Sequence, residues 1–291
     1  MTNTSLESRV LLDGLAMGES PRWHDGRLWF PHWGTPDILA VDLTGDARVM
    51  AQGPSGLGHA IGWLRDGRLL VTGEQLTRYE PDGTRTVHAD LRPLSKYGWS
   101  EMTVDGRGNI YVNSIGFDFR AEMADRVKSP SEAPTGLIAL VTPDGRARKV
   151  AEGIAFPNGM VITPDNRTLI VSESFTGKLL AFDIGDDGAL TGRRVWAEGL
   201  APDGICLDAE GAIWTATWHN ECVRVAEGGE ILDRIQLDRP CFATMLGGPG
   251  RCTLFTMANR FLGVDKFDEM LAMRAGQVRV AEVRTPGAGY P

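Results

Sequence analysis

The sequence predicts an all-β protein, a single six-bladed β-propeller spanning 1–291. Three observations carry this. An "apolar strand, Asp/Gly turn, apolar strand" pattern recurs six times along the chain. The recurrence has a period near the ~40–50 residues of a four-stranded blade. Long amphipathic helical patterns are missing, the best helical candidate being the short FDEMLAMRAG at 267–276.

The six units are HDGRLWF, RDGRLLV, DGRGNIYV, PDNRTLIV, DAEGAIWTA and GPGRCTLFT. A Gly or Asn between two apolar runs is a strong short-range hairpin signal. Aligning the units puts Gly26, Gly67, Gly108, Asn166, Gly211 and Gly250 in register, with steps of 41, 41, 58, 45 and 39 residues. The long step implies an insertion at 116–136, GFDFRAEMADRVKSPSEAPTG, read as a loop or lid on one face. The repeat resumes after it, so it does not separate two domains. An open sheet edge would invite aggregation, so the ring must close. The leftover apolar segments 8–14 and 276–283 are expected to pair and close it.

Composition sets the outer bounds. The 291 residues are 42% hydrophobic and 23% charged, ordinary for a globular protein. A net charge of −8 argues against nucleic acid or an anionic membrane as a partner, because phosphate binding needs a basic surface. No stretch approaches the ~18 apolar residues of a membrane helix. The first 21 residues show no basic segment followed by an apolar one, so no secretion signal is expected. Cys206, Cys222, Cys241 and Cys252 form no CxxC pair and read as free thiols, which fits a cytoplasmic location.

Candidate site residues emerge from the register. Stepping back eight residues from the turns (seven in the first unit) reaches Glu19, His59, Ser100, Asn158, Asp203 and Phe242. These stand where the innermost strands begin, and in a propeller such starts converge at one mouth of the central channel. Glu19, Asn158 and Asp203 bring hard oxygen donors from three blades, in the stretches GESP, FPNG and APDG, each read as a turn that fixes the donor's direction. Oxygen donors without thiolates suit Ca2+, Mg2+ or Mn2+. Bare carboxylates facing one another would repel without a cation or proton. The expectation is a metal site in the central channel holding one divalent metal ion, Ca2+ first, with Mg2+, Mn2+ or Zn2+ as alternatives.

At these residues the chain resembles the SMP-30/gluconolactonase/regucalcin-like family. The matching stretches are GESPRW, FPNGMVITPDNRTLIVSES, APDGICLDAEGAIWTATWHNECVRV and RPCFATMLGGPGRCTLF. The resemblance covers roughly 14–285. It implies a six-bladed propeller, hydrolysis of lactones, and Glu19, Asn158 and Asp203 as metal ligands. Two departures matter. An Asn-Asp pair common in the family is replaced here by Ser100-Glu101, and an arginine that some relatives carry would fall at Gly98. Trp99, His59, His32, Trp33 and Phe242 suggest an aromatic pocket for a less polar substrate.

The expected activity is opening of a small-molecule lactone, with the metal activating the carbonyl toward water. Asp203 ranks first as the base, followed by Glu101 and His59. Ser100, Trp99, Phe242 and Trp33 are the expected substrate contacts. Organophosphate hydrolysis on the same metal site and a non-catalytic propeller binding module are the alternatives. The expected assembly is a monomer or homodimer. Trp23, Trp29, Trp63, Trp196 and Trp214 are read as blade packing. His24 and His88 are read as solvated beside their turns, and His219 as a surface or structural residue.

Overall fold

The computed structural model describes residues 6–54, 57–128 and 135–288. Residues 129–134 of the expected insertion and residues 55–56 lie outside the described residues. Among the described residues the strands form six antiparallel sheets, the blades of a β-propeller. The inner strands of blades two to six are Ile61–Trp63, Met102–Val104, Pro157–Ile162, Pro202–Leu207 and Cys241–Gly247. Blade one has a broken inner edge, Met17–Gly18 followed by Arg22–His24. The six aligned turn residues all lie at positive φ, and Asn166 (φ 58°) is the one that is not glycine. Asparagine tolerates this conformation because its short amide bonds locally.

Closure occurs as expected. Strand Arg9–Leu15 pairs antiparallel with Gly276–Glu282, so the first strand of the chain becomes the outer strand of blade six. This clasp ties the two ends of the chain together and removes an open edge.

The core is a ring of apolar clusters, several of them spanning neighbouring blades. One joins Leu70 and Leu76 of blade two to Val104, Ile110 and Val112 of blade three. The tryptophans read as packing residues do pack: Trp23 stacks on Phe255 at 5.3 Å, and Trp29 meets Trp63 edge-on at 5.5 Å. His24 stacks on Trp63 at 4.1 Å, so it belongs to this packing and is half-buried. His88 is also half-buried, with its Nε2 enclosed and unpartnered. His219 is exposed.

Two expectations are corrected. Residues 116–136 are not simply a loop: Phe119–Lys128 is a helix, α1. A second helix, α2 (Phe267–Met273), falls in the expected 267–276 segment. The other correction concerns FPNG and APDG. Asn158 and Asp203 lie within inner strands, not turns, and neither following glycine has positive φ. Crowding at the axis explains those glycines. A Cβ on Gly159 would stand 2.6 Å from the Ile205 amide nitrogen and 2.8 Å from the Asp203 carbonyl oxygen. One on Gly204 would stand 2.6 Å from the Ala243 Cβ. Only glycine lets adjacent inner strands approach this closely.

Gly159→Ala is expected to cost about 1–3 kcal/mol, because backbone and not a flexible side chain must yield. Urea unfolding monitored by tryptophan fluorescence measures it; unchanged stability would refute this account of the axis.

Candidate functional site

The inner strands deliver their first polar residues to one end of the channel. The pairing register slips between Pro157 and Met160, between Pro202 and Ile205, and between Cys241 and Ala243. Each slip brackets a ring residue: Asn158, Asp203 or Phe242. An extra residue in one strand re-aims the side chain there. Glu19 reaches the same place differently. It sits in the break of blade one's inner edge, before Ser20 at φ 46° and Pro21.

The result is a cavity of about 840 Å3 with Glu19, Ser100, Glu101, Asn158 and Asp203 in its wall. The three carboxyl groups come from blades one, three and five, and are only 5–6% exposed. Burial pushes Glu19 well above the usual carboxylate range, and the charges of Asp203 and Glu101 push it further. Asp203 is raised by burial and then by Glu101, while hydrogen bonds from Trp218 and Asn158 oppose the shift. One cation answers this cluster directly: Arg22 Nη2 lies 3.2 Å from Glu101 Oε2. Both Glu101 oxygens are thus engaged, since Ser20 Oγ donates to Oε1. Ser20 also donates its backbone N–H to Glu19 Oε2 at 3.1 Å, tying two of the carboxylates to one residue.

A girdle of buried side chains on the second strands holds the ring. Thr72 Oγ1 donates to the Ser100 carbonyl oxygen at 2.9 Å. Asn113 Nδ2 donates to the Asn158 carbonyl oxygen at 2.7 Å, and Asn113 Oδ1 accepts the Glu101 N–H at 3.1 Å. Ser172 Oγ donates to the Asp203 carbonyl oxygen at 2.7 Å. Each reaches from one blade to the start of the next. The sequence carries a signal for them, a lone polar residue ending an apolar run in LLVT, IYVN and LIVS.

Among the expected substrate contacts, Ser100, Trp99, Phe242 and Trp33 all line the cavity. Trp218 also lines it and donates its indole N–H to Asp203 Oδ2 at 3.1 Å. It is a site residue that register counting does not reach, because it lies in the bend after a second strand. Phe117, Phe119 and Phe156 join the wall as well.

Two histidines stand apart. His59 is not among the cavity-lining residues. Its ring is buried against Gly53 and neither ring nitrogen has a partner. The rank of His59 as a base therefore has no geometric support. His32 is also buried away from the cavity, its Nε2 accepting the Ala16 N–H at 2.8 Å.

Among the described residues no three His, Cys, Asp or Glu side chains come close enough to hold a metal between them. A site here therefore requires the Asn158 amide oxygen beside the Glu19 and Asp203 carboxylates. All-oxygen donors of mixed charge fit a hard cation. The four cysteines are free and none lines the cavity. No helix of the described residues is long and apolar enough to cross a membrane.

Comparison with known proteins agrees with the propeller fold. The family model described as "SMP-30/Gluconolactonase/LRE-like region" matches residues 17–259. A pentonolactonase of Haloferax volcanii is 24% identical over 74% of this chain and 72% of its own length. The diisopropyl-fluorophosphatase of Loligo vulgaris is 26% identical over 80% of each chain. The solved structure of a calcium-binding protein, regucalcin, from Agrobacterium tumefaciens superposes with a TM-score of 0.75 at 20% identity, covering 98% of both chains.

Burial lowers the His59 pKa from 6.5 to about 4. Below the unfolded value the unfolded chain takes up a proton that the native state refuses. Stability is therefore full above about pH 6.5 and falls as pH drops toward 4. The loss attributable to His59 is expected to reach about 2–3 kcal/mol. Denaturant unfolding of wild type and His59→Leu at pH 7 and pH 4.5 should show a smaller loss in the variant; equal losses would refute the assignment.

Proposed function

The chain belongs to the SMP-30/gluconolactonase/LRE-like family, and from that premise we propose that it is a hydrolase opening a lactone or related ester beside a divalent cation held by Glu19, Asn158 and Asp203. One observation carries the reading. Three buried carboxylates meet at the channel mouth with Arg22 paired to one of them, so in ionised form the cluster is short of two positive charges. Burying unpaired like charges is costly, and a divalent cation supplies the missing balance.

The names of relatives support the reaction class: a pentonolactonase and a 6-deoxy-6-sulfogluconolactonase both match this chain. In such a reaction water adds to the carbonyl carbon and the ring C–O bond breaks. A hydroxy acid results, with its proton released at neutral pH. When bound, the cation would supply Lewis-acid stabilisation of negative charge developing on the carbonyl oxygen.

The side chains divide the remaining work. Asp203, oriented by the Trp218 N–H and the Asn158 amide, is the first candidate to take the proton from the attacking water. Glu101 is less free for proton transfer, because Ser20 and Arg22 occupy its two oxygens; its role is to position and to add negative charge. Trp99, Trp33 and Phe242 exclude water around the substrate, and Ser100 offers a hydroxyl at the wall. A second reading, organophosphate hydrolysis on the same donors, draws support from the diisopropyl-fluorophosphatase among the relatives.

Titration calorimetry with Ca2+, Mg2+, Mn2+ and Zn2+ tests the cation. Wild type should bind at least one, and Glu19→Gln should bind it at least about tenfold more weakly, since even an outer partner's loss costs roughly 10–100-fold. Acid release in a pH-stat should follow lactone addition and be lost in Glu19→Gln. Absence of binding in wild type would overturn the proposal, and acid release from fluorophosphates alone would favour the second reading.

A further inference from the structure

We infer that the substrate carries a bulky apolar body, such as a fused aromatic ring, on its lactone or ester and is not a polyhydroxylated sugar lactone; this rests on the hydrolase reading above. The cavity has two zones of different origin. Its oxygen donors come from the inner edges of the blades. Its walls come from connections and are aromatic: Phe117, Phe119, Phe156, Trp218 and Phe267. Their rings form two groups, Phe117 edge-on to Phe156 at 5.5 Å with Phe156 to Trp218 at 6.3 Å, and Phe119 to Phe267 at 5.6 Å; Phe119 also packs against the apolar cluster of Phe117 and Phe156.

Size points the same way. About 840 Å3 lies within the roughly 300–1,000 Å3 of pockets that enclose drug-sized ligands, so a bare lactone ring would leave much of it unfilled. At Gly98, in the wall, nothing stands within 4 Å of where a side chain would begin, which leaves further room.

The polar groups are placed wrongly for a polyol. Lys96, Asp118 and Asp265 line the cavity but are exposed, and Asp118 already caps α1 by accepting the Ala121 N–H at 3.0 Å. Sugar hydroxyls held among the aromatic rings would lose water without gaining partners, a cost that apolar substrates avoid. The roof reinforces this. Phe119 of α1, from blade three, meets Phe267 of α2, from blade six. An ion pair between Arg120 and Asp268 at 2.6 Å joins the same two elements outside. Phe119, half-buried in the wall and remote from the carboxylates in sequence, is the residue assigned to select the apolar body.

The test compares 3-isochromanone, δ-valerolactone and D-glucono-δ-lactone in a pH-stat with the metal-loaded protein. The first two are six-membered lactones of primary alcohols and differ by a fused benzene ring. kcat/KM for 3-isochromanone should exceed that for δ-valerolactone by about tenfold or more, because a buried ring is worth at least a decade. Phe119→Ala should lower kcat/KM for 3-isochromanone by about tenfold more than for δ-valerolactone, while Phe119→Leu restores most of the difference. A preference for the glucono-lactone overturns the inference and leaves the hydrolase reading standing. Hydrolysis of none sinks the hydrolase reading, and calorimetry with non-hydrolysable lactams then decides the cavity's preference. 1,4-Dihydro-3(2H)-isoquinolinone should bind about tenfold or more tighter than 2-piperidone; equal affinities overturn the inference.

Discussion

Like charges resist being buried together, and this molecule gathers three carboxylates where its blades converge. Glu19, Glu101 and Asp203 come from separate blades and have little access to water. Asp203 and Glu101 raise the cost of ionising Glu19, and Glu101 raises that of Asp203. Such an arrangement is stable only if something else holds it open and something positive answers it. Arg22 answers part of the charge. The rest of the architecture does the holding.

That holding is radial. The clasp of Arg9–Leu15 on Gly276–Glu282 closes the ring, so the inner strands cannot splay. Gly159 and Gly204 let those strands press together at the axis. Where they press, Thr72, Asn113 and Ser172 each reach from one blade to a carbonyl of the next. The carbonyls they bind belong to Ser100, Asn158 and Asp203, so the hydrogen bonds fix the backbone beneath the site. Buried polar groups satisfied in this way set geometry more than they add stability. The carboxylates thus sit on a frame of paired strands, while the connections between strands wall and roof the cavity.

Much of this frame was legible in the sequence because radial symmetry writes itself as a period. The six aligned turns and the convergence of Glu19, Ser100, Asn158, Asp203 and Phe242 follow from one count along the chain, and the closing strands from the apolar segments that the count leaves over. The count fails where symmetry fails. His59 occupies the ring position in blade two, but its ring turns into packing beside Gly53. Register fixes where a residue sits and not where its side chain points. Trp218 and Phe119 lie in connections, which have no period, and α1 is hidden in a polar stretch whose helix has little amphipathic contrast. Asn158-Gly159 and Asp203-Gly204 read as turns because those dipeptides favour turns. At the axis the same glycines answer a steric demand from a neighbouring strand that is distant in sequence.

A crystal grown with Mn2+ tests the central claim most directly, through an anomalous difference map of the channel. The account predicts a single strong peak touching oxygens of Glu19, Asn158 and Asp203, absent from crystals of Glu19→Gln. A channel with no anomalous peak, its carboxylates bonded only to one another and to water, would contradict it.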